Sequence, residues 1–95
     1  MAGYWMVQAD VLDTEKQAAY AQLASAAVTA FDGRYLARGG AAETREGAVR
    51  QRLVIIEFPS FEAAKAAYDS PQYQQALAAL DGGVVRDFAI VEGLA

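Results

Sequence analysis

The sequence contains neither cysteine nor histidine. Without cysteine there can be no disulfide, no thiolate nucleophile and no zinc site of the cysteine type. Without histidine the commonest general base is gone, along with Ser-His and Cys-His triads, His-ligated haem and imidazole metal sites. Chemistry therefore falls to carboxylates, tyrosine, arginine, lysine or backbone groups, and no metal or other cofactor is expected. Basic residues are also outnumbered, 8 against 12 acidic for a net charge of -4. Affinity for a phosphate backbone rests on clustered Lys and Arg that release counterions, so no nucleic-acid partner is expected. No apolar run approaches the roughly 18 residues of a membrane span. Met1 to Gln8 has neither a basic stretch nor the long apolar stretch of a secretory leader. The expectation is a cytoplasmic protein with no membrane partner.

What is present points to a folded chain. Its 95 residues are 55% apolar, above the ~45–50% of ordinary globular proteins, and are read as one domain, residues 1–95. The run Leu53-Val54-Ile55-Ile56-Glu57-Phe58 organises the rest. Successive strand side chains point to opposite faces, so a run apolar at almost every position needs cover on both faces of its sheet. Tyr4 to Val11 predicts a first strand, with Trp5, Val7, Ala9 and Val11 on one face and Tyr4, Met6, Gln8 and Asp10 on the other. Asp13 can cap a helix whose inward stripe is Tyr20, Leu23, Ala27, Ala30 and Phe31, ended by Asp32-Gly33 with the glycine in the left-handed conformation. Arg34 to Arg38 is a short strand, Ala41 to Val49 a polar hairpin loop. Ser60 and Ser70 are candidate caps for two helices joined at a kink, with Pro71 suited to the first turn of the second. Val84 to Glu92 supplies the last strand.

The order is β-α-β-β-α-β, with the second helical segment kinked: an α+β, ferredoxin-like arrangement with a four-stranded antiparallel sheet and helices on one face. A second copy packed across the bare face is the economical cover, so a homodimer is expected.

Five stretches then carry a resemblance: Gly3-Tyr4-Trp5, Arg34-Tyr35-Leu36-Ala37-Arg38-Gly39-Gly40, Val54-Ile55-Ile56-Glu57-Phe58-Pro59-Ser60, Tyr68-Asp69-Ser70-Pro71-Gln72-Tyr73 and Ile90-Val91-Glu92-Gly93. In this order, nearly end to end, they resemble the bacterial family catalogued as domain of unknown function 1330. The resemblance implies a dimeric α+β barrel, a superfamily that also holds cofactor-free monooxygenases, muconolactone isomerases and haem-degrading enzymes. It implies no activity. Two departures bear on ligands: many relatives carry a basic residue where this chain has Leu80, and Gln8 fills a strand position often charged in relatives. Both weaken the expectation of an anion site.

The candidate ligand-binding residues are Gln8, Tyr35, Arg38, Glu57 and Tyr68. Gln8 lies on the mixed face of the first strand, where polar groups within an apolar wall suit a cavity. Arg38 and Glu57 are charged residues ending apolar strands and could share a cleft if the register allows, since a shift of one residue reverses every facing. Tyr35 and Tyr68 offer an apolar body with a polar tip. The glycine pairs Gly39-Gly40 and Gly82-Gly83 match no phosphate-binding spacing and read as turns. The functional expectation is a homodimer binding a small organic molecule in a cleft, with cofactor-independent catalysis left open and no catalytic residue assigned. The alternative is a non-catalytic structural or interaction homodimer.

Overall fold

Strand β1, Gly3–Val11, alternates buried with more exposed positions along its length, and this places the layers of the fold. Trp5, Val7 and Ala9 point to the covered face; Tyr4, Met6, Gln8 and Asp10 point away. The computed structural model describes residues 1–94. After β1 come α1 (Thr14–Ala30), β2 (Arg34–Arg38), β3 (Arg52–Phe58), α2 (Phe61–Asp69), α3 (Pro71–Leu80) and β4 (Val84–Glu92). The sheet order is β2-β3-β1-β4, with every neighbouring pair antiparallel. The fold is the expected ferredoxin-like α+β arrangement, its second helix divided in two. A Cα extent of 17 Å in the thin dimension matches one sheet plus one helical layer, since packed layers lie about 10 Å apart.

Local chemistry accounts for the helix ends. Asp13 Oδ1 accepts from the backbone amides of Glu15 at 3.0 Å and Lys16 at 3.1 Å, starting α1. Ser60 Oγ accepts from the Ala63 amide at 3.0 Å. Ser70 separates α2 from α3: its Oγ accepts from the Tyr73 amide at 3.2 Å and donates to the Ala67 carbonyl at 2.8 Å, while Pro71 opens the next turn. Because Ser70 is buried, Ser70→Ala leaves the Tyr73 amide unsatisfied and leaves the Ala67 carbonyl with only the Ser70 amide, at 3.3 Å. Chemical denaturation is expected to show a loss of about 1–2 kcal/mol with an unchanged m-value.

Two expectations for α1 need correction. The left-handed residue at its end is Asp32, with φ of 59°, not Gly33. Gly33 is required for space instead, since a Cβ there would lie 2.6 Å from Cε1 of the Phe58 ring. The inward stripe is Ala24, Ala27 and Val28 with Tyr20 and Phe31 partly covered, whereas Leu23 and Ala30 face solvent. Small alanines let α1 lie close against α3.

The core is aromatic. Trp5 packs its ring 4.9 Å from Phe58, 4.8 Å from Tyr73 and 5.1 Å from Phe88, between centroids. Its indole nitrogen donates to the Ala64 carbonyl at 2.8 Å, tying β1 to α2. The opposite face of the sheet has no helix over it: Met6, Val85 and Val91 are each more than two-fifths exposed, beside Leu53 and Ile55. Arg50 closes one edge of that face by pairing with Asp10 and Asp87, both at 2.9 Å. This pins the end of the long β2–β3 connection to β1 and β4. No helix among the described residues is long and apolar enough to cross a membrane.

Candidate functional site

A narrow cleft opens between α1 and the covered face of the sheet. Its cavity volume is small, about 40 Å³. Trp5, Val7, Val54, Ile56 and Val84 form its apolar wall, with Ala9 and Ala21 as the small residues. Gln17, Tyr20, Tyr35, Arg38, Arg52 and Arg86 supply the polar groups.

The strands dictate which side chains reach it. Trp5 is opposite Ile56 and Ile90, Val7 is opposite Val54 and Phe88, and Ala9 is opposite Arg52 and Arg86. Residues directly opposite share a face, so Arg52 and Arg86 leave their strands on the face of Ala9, the Arg52 guanidinium lying against Gly39 and that of Arg86 against the Tyr20 and Tyr73 hydroxyls. On β2 a bulge between Tyr35 and Ala37 inserts one residue, so Tyr35 pairs with Ile56 and Arg38 with Val54. Strict alternation would turn Tyr35 and Arg38 to opposite faces; the bulge puts both in the cleft. The Arg38 guanidinium lies 4.1 Å from the centroid of the Tyr35 ring, and its Nη2 donates to Ser25 Oγ on α1 at 2.8 Å. It thus crosses from sheet to helix. Gly39, at φ of 66°, leaves room for the Arg52 guanidinium, with which a Cβ would collide.

At the other side, the Tyr20 and Tyr73 hydroxyls are 2.6 Å apart, and Arg86 donates to them at 3.2 and 3.1 Å respectively. Tyr73 is fully buried. Burial pushes its phenol far above the usual value near 10, the Tyr20 oxygen adds to the rise, and Arg86 opposes it. Tyr73 is therefore a neutral hydrogen-bonding group. Its folded-state pKa is raised, so its contribution to stability is complete below pH 10 and is lost as pH rises, because the unfolded chain ionises first. Above pH 10 the unfolding free energy is expected to fall by about 1.4 kcal/mol per pH unit from this group. Denaturant titrations should give a shallower slope for Tyr73→Phe, along with lower stability at neutral pH from the lost partner of Arg86.

Of the five residues singled out in the sequence, Tyr35 and Arg38 line this cleft. Gln8 and Glu57 do not: both project from the opposite face, because their registers place them beside Leu53 and Tyr4 respectively. Gln8 Oε1 accepts from the Arg50 amide at 3.3 Å. Glu57 accepts from Arg34 Nε at 2.8 Å and from the Tyr4 hydroxyl at 3.2 Å. Arg38 and Glu57 therefore share no face. Tyr68 is also outside the cleft lining, packed 5.1 Å from Phe88 and 5.2 Å from Tyr73. The mixed face of β1 is likewise not the cleft wall. Gln17, Arg52 and Arg86 are lining residues outside the five. For the two arginines the sequence signal is a charged residue in phase with an inward apolar series, Arg86 with Phe88 and Ile90, and Arg52 with Val54 and Ile56.

The fold and cleft define a ferredoxin-like α+β protein with a pocket between its sheet and first helix. The chain belongs to the family described as domain of unknown function (DUF1330), whose model matches residues 2–94. None of the curated proteins matches it. Among solved structures it resembles a protein of unknown function from Rhodopseudomonas palustris, at 15% identity and a TM-score of 0.74, over 99% of this chain and 83% of that one. It also resembles SnoaB, a cofactor-independent oxygenase from Streptomyces nogalater, at 12% identity and 0.68, over 99% and 94%. A third is a dimeric protein of unknown function with a ferredoxin-like fold from Bacteroides fragilis, at 14% identity and 0.58, over 97% and 96%.

Proposed function

We propose that this protein is a homodimer that binds a small organic molecule in the cleft between α1 and the sheet. The observation that carries the reading is the cleft's composition. Its wall is apolar and partly aromatic, with a few polar groups converging on one concave space, as in small-molecule sites. Homodimerisation is supported by the uncovered apolar face around Met6, Leu53 and Ile55, and by the dimeric state described for the Bacteroides fragilis neighbour. Turnover of the bound molecule without a cofactor is favoured by one feature, a Tyr20 hydroxyl held at the cleft by Arg86 and Tyr73, and is supported by the description of SnoaB.

A thermal-shift screen of the purified protein against organic acids, alcohols and ketones tests the reading. A binder present at 100 to 1,000 times its Kd should add about 2.7–4 kcal/mol of stability. That gain should vanish in Ala9→Leu, which fills the cleft floor. A screen in which no compound raises the midpoint removes the cleft as a ligand site and leaves the structural dimer.

A further inference from the structure

The chain has eight Lys and Arg side chains. Five of them meet carboxylates: Lys16 with Asp81, Arg34 with Glu57, Arg45 with Glu43, Lys65 with Glu62, and Arg50 with Asp10 and Asp87. The other three are Arg38, Arg52 and Arg86, and none has a carboxylate partner among the described residues. All three line the cleft, whose wall contains no acidic side chain. In a chain of net charge -4, the cations without internal counterions are thus gathered in one concave, apolar-walled space. Charges in such a cleft act in a lower effective dielectric than at an open surface, and they attract an oppositely charged ligand there.

Register adds the position. Arg52 and Arg86 both stand opposite Ala9, on the strands flanking β1. Their Cα atoms are two strand spacings apart, roughly 10 Å, with a lone methyl between them. One guanidinium stands beside Gly39 and the other beside the Tyr20 hydroxyl, and each offers a planar fork of donors suited to an oxygen anion.

The proton count of the tyrosine pair supplies a third donor. Tyr73 is buried, and among the described residues its hydroxyl reaches Tyr20 and Arg86 alone. Arg86 can donate but not accept, so the Tyr73 proton goes to the Tyr20 oxygen. That oxygen then accepts from Tyr73 and Arg86 together, and the Tyr20 proton is left for the cleft that its side chain lines.

We infer that the cleft selects an organic oxyanion, a carboxylate or an ionised enol or phenol. Its apolar body lies against Trp5, Val54 and Ile56, and its charged oxygen is held by Arg86 and the Tyr20 hydroxyl, with Arg52 as a second cation. Tyr73 is a positioning residue that acts through Tyr20. The inference rests on the cleft being the ligand site. The basic group missing at Leu80 is immaterial to it, because Leu80 is buried and does not line the cleft.

Isothermal titration of the intact protein with matched compounds tests this: benzoate, cinnamate and 2-naphthoate, their primary amides, and the corresponding phenols above their own pKa. An acid is expected to bind at least tenfold more tightly than its amide, with affinity falling as salt rises. Arg52→Gln should weaken the acid by roughly 10- to 100-fold and leave the amide unchanged. Tyr20→Phe should weaken the acid less, and Arg34→Gln, a paired cation on the other face, not at all. Tighter binding of phenolates than of carboxylates assigns the anion to the enol class and sustains the inference. Equal binding of acid and amide, or an Arg52→Gln variant with unaltered affinity, overturns the inference while the cleft stands. Failure of every compound to bind removes the cleft reading, and the inference with it.

Discussion

Replacing Trp5 by alanine is expected to lower the unfolding free energy by about 3–5 kcal/mol, the range for a fully buried large aromatic. Trp5 is 1% exposed, and its ring is the hub on which Phe58, Tyr73 and Phe88 pack from three different elements. Removing it leaves a cavity among these rings and takes away the indole's hydrogen bond to the Ala64 carbonyl. For a domain of this size each kcal/mol corresponds to roughly 4–8 °C, so the thermal midpoint should drop by at least about 12 °C. Trp5→Phe separates the two contributions. It keeps a ring against Tyr73 and Phe88 but loses the hydrogen bond to Ala64 at 2.8 Å, and calorimetry should place it between the parent and the alanine variant. An alanine variant as stable as the parent would mean that the core is organised elsewhere.

The second large effect is on assembly. Met6 lies on the uncovered face, opposite Ile55 on β3 and Ala89 on β4, and is 41% exposed in a single subunit. Met6→Glu therefore costs the subunit little, because its carboxylate can remain hydrated. In a dimer packed through that face, two new carboxylates would be buried without partners, a penalty of about 3–5 kcal/mol. That corresponds to a dimer dissociation constant raised roughly 10²- to 10³-fold or more. Sedimentation is expected to report a dimer for the parent and a half-mass species for the variant at micromolar concentration. Circular dichroism and the packing of Trp5 should be unchanged. A parent that sediments as a monomer, or a variant that remains dimeric, would move the subunit contact off this face. Because the cleft lies on the opposite side of the sheet, any compound that the thermal-shift screen finds for the parent should still bind the monomeric variant, an independent check that it is folded.

The two predictions separate what each sheet face does, and the same division marks how far the residues could be read in advance. Element order, strand alternation in β1 and β4, and the caps at Asp13, Ser60 and Ser70 were legible because each depends on residues within a few positions of one another. Trp5 and Ala9 were assigned together to one face for the same reason. The cleft lining is legible only in part: of the residues that the sequence singles out, Tyr35 and Arg38 lie in it and Gln8 and Glu57 outside it, while Arg52 and Arg86 join it through pairing alone. Side-chain facing follows from register, and register joins residues far apart in the chain: Ala9 meets Arg52 and Arg86 across 43 and 77 positions.

The amino-acid sequence by itself determined an α+β chain with the chemistry of tyrosine and arginine available and that of histidine and cysteine closed. It also determined that more apolar strand surface exists than one helical layer can cover. Tertiary structure alone decided that the cleft belongs to the helix side and that Glu57 stays outside it. It decided as well that Arg52 and Arg86 leave their strands on the face of Ala9, in the same cleft as Arg38. The physical reason is the β2 bulge together with the pairing of β1 to both β3 and β4. One inserted residue on β2 turns Arg38 back to the face of Tyr35, and no local propensity encodes where that insertion falls.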